Sequence, residues 1–483
     1  MERGLSLGPN APGCLLPNPA LFPAQQERLR IDNWLTQDLA AAQQRVAAGA
    51  VTPTIDKVAF HRELAAFDFD APRPLVELLS WTSAQLEAGV VHLTNPRYFG
   101  LFNPSPAFPA QCADRLAAAF NPQLASSVTS PAATAIEAHV IKAMASRAGL
   151  PADSAGHFTG GGSEANSTAL ICALTKANPQ FAENGVLAFA GRPAFYVSRE
   201  CHLAWVKIAH AAGIGRTAAR MVPTDGTGRL DVQALKALIA ADRVAGFVPV
   251  MIAATAGTTN AGMIDPLREC AAVAAKAGLW YHIDAAWAGA LLLSDKLKGA
   301  LAGIGSADSI TIDAHKWLAT TMGCGMFLCR DAQILGNTFH VAASFMPPSQ
   351  SSDDPYVNSL QWSRRFLGLR LFLNLATAGW RGYGEHVERS VALADQIGTL
   401  LAVRGWRVAN RSVAAVLCLE PPNYSDPART IAARVVASGR AWVSAAAFEG
   451  RDYVRVCVTH GETSETDVAH LIVALEAAMS QKE

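Results

Sequence analysis

From about residue 156 onward, short apolar runs alternate with stretches of helical period. The runs at 186–189, 195–198, 247–252, 279–283, 309–312 and 324–329 are four to six residues long and apolar on both faces. Runs this short and this apolar predict buried strands, and the helical stretches between them predict crossovers. Residues 151–328 therefore read as an α/β domain with a mostly parallel sheet covered on both sides. The chain before it differs. Residues up to about Pro23 are rich in Pro and Gly and predict an irregular arm, with helical patterns at 32–48 and 74–88. An aromatic, loop-like segment spans 95–104, and helical period returns between 108 and 150. A long helix is expected at 363–378. Strands at 414–419, 441–448 and 452–458, with helices between and after them, predict a smaller C-terminal α+β domain. The expected organisation is an N-terminal arm and helical segment over 1–105, a large α/β domain over 106–378 and a small domain over 379–483. No internal repeat or long low-complexity segment interrupts it.

Composition narrows the class. The chain of 483 residues is too long for one ordinary core. Its 51% hydrophobic and 17% charged residues suit an enzyme-sized globular protein. Forty basic side chains balance forty acidic ones, which leaves no electrostatic footprint for nucleic acid or an anionic membrane. An apolar, charge-balanced chain also suits burial of surface in an oligomer. The nine cysteines form no repeated close pairs, so a reducing, cytoplasmic setting is expected. Cys324 and Cys329 lack further ligands nearby and read as strand residues; no metal site is expected. The N-terminus lacks the charged-then-apolar order of a signal peptide, and no apolar run is long enough to span a membrane.

Three pieces carry the candidate chemistry. The first is Thr159-Gly160-Gly161-Gly162-Ser163-Glu164, where a strand-like stretch turns into a helical one at 164–177. Glycines let backbone N–H groups approach an anion, the helix start favours its charge, and Ser163 adds a hydroxyl. A plain tight turn is the alternative. The stretch has neither the lysine of a nucleotide-binding loop nor the spacing of a dinucleotide fingerprint, so a non-nucleotide phosphate fits better. The second piece is Asp284, which ends an apolar run in His282-Ile283-Asp284-Ala285-Ala286. A carboxylate at a strand's carboxyl end can hold a pyridinium nitrogen protonated, or can simply cap the next helix. Ala286 is small enough for a flat ring to lie against it. The third piece is Lys316, 32 positions later, in Asp313-Ala314-His315-Lys316-Trp317. A lysine at an apolar strand end is costly to bury unless paired or converted to a Schiff base.

Phosphate cradle, acid and amine, in this order, are what a protein needs to hold pyridoxal 5'-phosphate (PLP). Two weaker candidates join them. His202 opens a helix after a strand and can stack on a cofactor ring or sit at the surface. Thr258 and Thr259 follow another strand and can donate to the cofactor or merely shape a turn.

From about Pro96 to the C-terminus these motifs, with Gly257-Thr258-Thr259 between His202 and Asp284, resemble the group II PLP-dependent amino-acid decarboxylases, which act on aromatic amino acids, histidine, tyrosine and glutamate. The resemblance implies fold type I and a homodimer with shared active sites. It implies that Lys316 carries the cofactor, that His202 stacks on its ring, and that Asp284 meets the ring nitrogen. Gly162 and Ser163 meet the phosphate, with Thr258, Ala286 and His315 also at the cofactor. Trp362-Ser363-Arg364-Arg365-Phe366 resembles a segment whose small residue lines the substrate pocket. Two positions depart from the family. Asp313 stands where many members have asparagine, and its charge would repel a phosphate. Phe345, 29 positions after Lys316, stands where a loop tyrosine is usual.

The expected function is decarboxylation of an L-amino acid to its amine and CO2. The alternative is decarboxylation with oxidation to an aldehyde, because Phe345 cannot donate a proton. A PLP-fold protein without catalysis is a third, disfavoured by the intact Lys316, Asp284 and His202. The expected partners are a small-molecule substrate and a second copy of the chain, with neither nucleic acid nor membrane.

Overall fold

The structure is a computed structural model that describes residues 17–341, 354–422 and 427–480. The chain forms two compact units, one running to His92 and the other from Leu93. The first contains helices Gln25–Ala48, Lys57–Ala65 and Leu75–Gly89, and none of the three buries a single residue. Asp56 caps the second by accepting from the N–H groups of Val58 and Ala59. Arg45 pairs with Glu87 at 2.7 Å. The first helix starts at Gln25 rather than near 32, because its polar opening turns carry no apolar stripe to mark them.

In the second unit seven strands form the main sheet. They are β1 (Ala155–Thr159), β2 (Arg192–Ser198), β3 (Ala219–Val222), β4 (Phe247–Thr255), β5 (Trp280–Asp284), β6 (Ser309–Asp313) and β7 (Gly325–Cys329). Their order is β1-β7-β6-β5-β4-β2-β3. The pairs from β3 through β6 are parallel, and β7 alone runs against its neighbours β1 and β6. Six strands thus point the same way and deliver their carboxyl ends to one edge, where open α/β sheets bind ligands. Strands β5, β6 and β7 are buried at every position, as their apolar sequences predict.

Five of the six predicted runs are strands. The sixth, at 186–189, is instead a surface 3-10 turn, Gly185–Ala188, with Leu187 88% exposed. Gly185 at φ +56° bends the chain there, so no neighbouring strand can pair with it. β1 and β3 lack the apolar run that marks the others, since β1 carries Gly and His and β3 is a short edge strand.

A second sheet holds β8 (Arg407–Val408), β9 (Val416–Glu420), β10 (Ser444–Phe448) and β11 (Arg451–Cys457) in the order β10-β11-β9-β8, all antiparallel. Helices Ala428–Ala437 and Glu465–Ser480 bury apolar faces in the same core. The connecting helix runs Gly368–Ala402 with a break at Gly379, φ +66°. It begins at 368 rather than 363 because Arg364 is drawn inward, where its guanidinium meets Glu137 at 2.6 Å and donates to the Phe158 carbonyl at 3.0 Å. No described helix is long and apolar enough to cross a membrane.

Candidate active site

The carboxyl edge of the main sheet opens on a cavity of about 430 Å3. Gly160, Gly161, Gly162 and Ser163 wall one part of it, between the end of β1 and the helix Gly162–Ala177. Gly161 adopts φ +154°, which an L side chain rarely does. At Gly162 a Cβ would lie 2.9 Å from Asp313 Oδ2, so glycine is required by space as well. The first N–H groups of this helix have no intrahelical acceptor, which makes the turn an anion cradle. Gly160 N–H donates to Glu164 Oε2 at 2.7 Å and closes the turn.

Asp284, Ala286, His202, His315 and Lys316 all line the same cavity. Asp284, 5% exposed, ends β5. Its Oδ1 accepts from the Ala286 N–H at 3.1 Å and its Oδ2 from Asn166 Nδ2 at 2.7 Å. These bonds fix the carboxylate's plane and leave lone pairs for a further donor. His202 accepts from the Ala204 N–H at its Nδ1, 3.1 Å away, so a neutral ring carries its proton on Nε2. Burial lowers the pKa of His202, against the opposing pull of the Asp284 charge, and favours that neutral form. His315 holds its Nδ1 against the Cys324 backbone, and its Cε1 would be 3.3 Å from a Cβ at Gly161. It backs the cradle rather than reaching across the cavity.

Lys316 follows β6 by a single turn. Its Nζ lies 3.0 Å from Asp313 Oδ2, a carboxylate only 3% exposed, and 5.7 Å from the centre of the Phe102 ring. Asp313 is therefore a wall of the site and the partner of its amine. Phe102 begins a stack that runs through Trp287, 4.0 Å between ring centres, to Trp317, 4.5 Å further. Arg455 covers Phe102 with its guanidinium, 4.6 Å from the ring centre.

Thr258 is not on the cavity wall. It is fully buried, and its hydroxyl accepts from the Met263 N–H at 3.0 Å to close the turn after β4. Its neighbour Thr259 faces the cavity instead. The φ of +94° at Gly257 sets which of the two points inward. Tyr98 and Phe99 are core residues, and Tyr98 stacks on Trp442. Gln123 donates to Ser363 Oγ at 2.8 Å, and neither residue lines the cavity. Phe345 lies outside the described residues.

Phe102, Asn103, Asn166, Trp287 and Asp313 also line the cavity, without having been chosen from sequence. A signal existed for Asn166, which sits one helical turn beyond the cradle on the side that must face the sheet.

The cradle, the strand-end carboxylate and the amine fit the three polar ends of PLP: phosphate, ring nitrogen and aldehyde. The cradle's open backbone and the amine supply positive potential, and Asp284 supplies the acceptor. Asp313 is a carboxylate that opposes a phosphate there, and Lys316 offsets it.

The comparisons agree with this geometry. The model of the pyridoxal-dependent decarboxylase conserved domain matches residues 64–409. The chain is 31% identical to an L-2,4-diaminobutyrate decarboxylase of Rhizobium meliloti (strain 1021) over 379 residues, covering 76% of this chain and 74% of that one. It is 26% identical to an aromatic-L-amino-acid decarboxylase of Bacillus atrophaeus, covering 83% and 85%. Among solved structures it resembles Oryza sativa TDC with PLP and tryptamine, at TM-score 0.88 and 25% identity, covering 95% of this chain and 98% of that one. The chain belongs to the pyridoxal-dependent decarboxylase family. Its fold is the α/β fold type I of PLP-dependent enzymes, its cofactor is PLP, and it is a lyase that decarboxylates an amino acid to the amine and CO2.

Proposed function

We propose that this decarboxylation takes place at Lys316, with Asp284, His202 and the 160–163 cradle as its cofactor-holding groups. The observation that carries the assignment is that all of them line one cavity at the carboxyl edge of the sheet. PLP supplies an aldehyde that takes the substrate's amino group and a ring that accepts the electron pair left as CO2 departs. Gly162 and Ser163 hold the phosphate end through backbone N–H groups and a hydroxyl. Asp284 would meet the ring nitrogen and hold a proton there. Ala286 leaves room for a flat ring, and His202 would cover it. The His202 Nε2–H is free to donate to a substrate carboxylate. Lys316 anchors the cofactor through Nζ. Asp313, 3.0 Å from Nζ, would hold the proton of the free Lys316 amine. Phe102 and the Trp287 behind it keep this side of the cavity apolar and poor in water.

We also propose a homodimer in the cytoplasm. Support for the dimer is the first unit, whose three helices bury no residue and so lack a core of their own. A second copy of the chain is the occupant proposed for those faces. Support for a reducing compartment is that all eight described cysteines are free, seven of them buried.

The test is direct. Protein loaded with PLP and given each L-amino acid in turn should release CO2 and the matching amine from at least one. Sedimentation should give a dimer, and an active monomer would overturn the assembly proposed.

A further inference from the structure

Behind Asp284 lies a chain of buried polar groups, of which only Asn166 reaches the cavity wall. Trp280 Nε1 donates to Ser309 Oγ at 2.8 Å. Ser309 Oγ lies 2.8 Å from His282 Nδ1, and His282 Nε2 lies 3.0 Å from Asn166 Oδ1. Asn166 Nδ2 then donates to Asp284 Oδ2 at 2.7 Å. His282 and Ser309 are fully buried, and Asn166 is 3% exposed. His282 precedes Asp284 by two positions on β5, so both side chains leave the same face of the sheet. Asn166 bridges them from the helix packed over that face.

The two ends of this chain fix the direction of every bond. An indole N–H can only donate, and a carboxylate can only accept. Asn166 must therefore turn its NH2 to Asp284 and its oxygen to His282. His282 must carry its proton on Nε2 and accept at Nδ1, so the Ser309 hydroxyl must donate to it. Thr311 Oγ1, 3.4 Å from His282 Nε2, can only accept a share of the same proton. Every donor points toward Asp284, and bonds aligned in this way polarise one another. Burial keeps His282 neutral by pushing its pKa down to about 4, as the arrangement requires. Cys201 and His202, which also feel the Asp284 charge, lie outside this chain.

We propose that Asn166 and His282 are positioning residues for Asp284, which orient its carboxylate toward the cofactor's ring nitrogen and hold the proton there. The inference rests on the role proposed for Asp284. It assigns work to a helix residue at the cavity wall and to a strand residue behind it, both acting through Asp284.

The test uses the holoenzyme loaded with PLP carrying 15N in the ring, whose NMR shift reports protonation of that nitrogen. In the wild type the nitrogen should stay protonated from about pH 6 to about pH 8. Asn166→Leu and His282→Phe should bring its titration down into that range, and kcat should fall about tenfold with KM changed less than about twofold. His282→Gln should restore most of the wild-type shift, because an amide can accept from Ser309 and donate to Asn166. Ser309→Ala removes one hydroxyl only and should give an intermediate shift; it decides the matter should His282→Phe not fold. Wild-type titration in Asn166→Leu and Ser309→Ala, with protonation lost in Asp284→Asn, would overturn this proposal alone. A ring nitrogen unaffected by Asp284→Asn would overturn the role of Asp284 itself.

Discussion

The Lys316 amine sits 3.0 Å from the carboxylate of Asp313, at the foot of the glycine cradle. The same carboxylate oxygen would lie 2.9 Å from a Cβ on Gly162. One buried anion therefore serves two neighbours with opposite needs. It steadies a cationic amine, and it opposes a phosphate in the cradle.

Asp313→Asn keeps the shape and removes the repulsion. Titration of the apoprotein with PLP, followed by fluorescence quenching, should show binding tightened about tenfold, equivalent to about 1.4 kcal/mol. Unchanged or weaker binding would show that the amine, rather than the phosphate, is the partner that matters to Asp313.

Asp284→Asn keeps an acceptor for the Ala286 N–H but turns its NH2 toward that of Asn166, so some stability is lost while the fold is kept. It cannot hold a proton on the ring nitrogen. The expected result is a loss of about 100-fold or more in kcat, with a melting temperature lowered by only a few degrees. Wild-type turnover in this variant would remove Asp284 from the chemistry.

The parts of the site that sequence revealed are those that one strand end or one turn specifies. Lys316, Asp284 and the cradle each sit where an apolar run stops, and a parallel sheet gathers such ends at one edge. The parts that stayed hidden depend on packing between distant segments. Phe102 meets Trp287 across a long separation in sequence, and Asn166 reaches His282 and Asp284 only because its helix lies on β5. Thr258 and Thr259 were chemically equal in sequence, and the left-handed turn at Gly257 separated them. Likewise, 186–189 has the composition of a strand but no partner within reach.

Two buried histidines make the protein sensitive to acid. Burial holds the pKa of His157 near about 3 and that of His282 near about 4, against an ordinary 6.5. Between these values the unfolded chain binds protons that the folded chain refuses. Their contribution to stability is therefore full above pH 6.5 and is lost as pH falls toward the folded values, at about 1.4 kcal/mol per pH unit for each histidine. Urea midpoints measured from neutral pH to about pH 4.5 should fall, and His157→Leu should flatten the slope by its share. An identical slope in that variant would contradict the assignment.

Phe345 stands where the family resemblance places a proton-donating tyrosine, and a phenyl ring has no proton to give. Phe345→Tyr should raise the rate of amine formation by about 100-fold, the low end of what a placed acid supplies. The amine-to-aldehyde ratio, read by chromatography, should rise or stay at pure amine. A variant with the same rate and the same ratio would exclude position 345 from protonation.

The most direct measurement combines product analysis with the site of attachment. Wild-type protein, PLP and a panel of L-amino acids, L-2,4-diaminobutyrate included, should yield CO2 and one amine in equal amounts. Borohydride treatment of the resting enzyme, followed by peptide mapping, should place the cofactor on Lys316, and Lys316→Ala should abolish both turnover and labelling. Release of no CO2 from any amino acid, or a label on another lysine, would contradict the account.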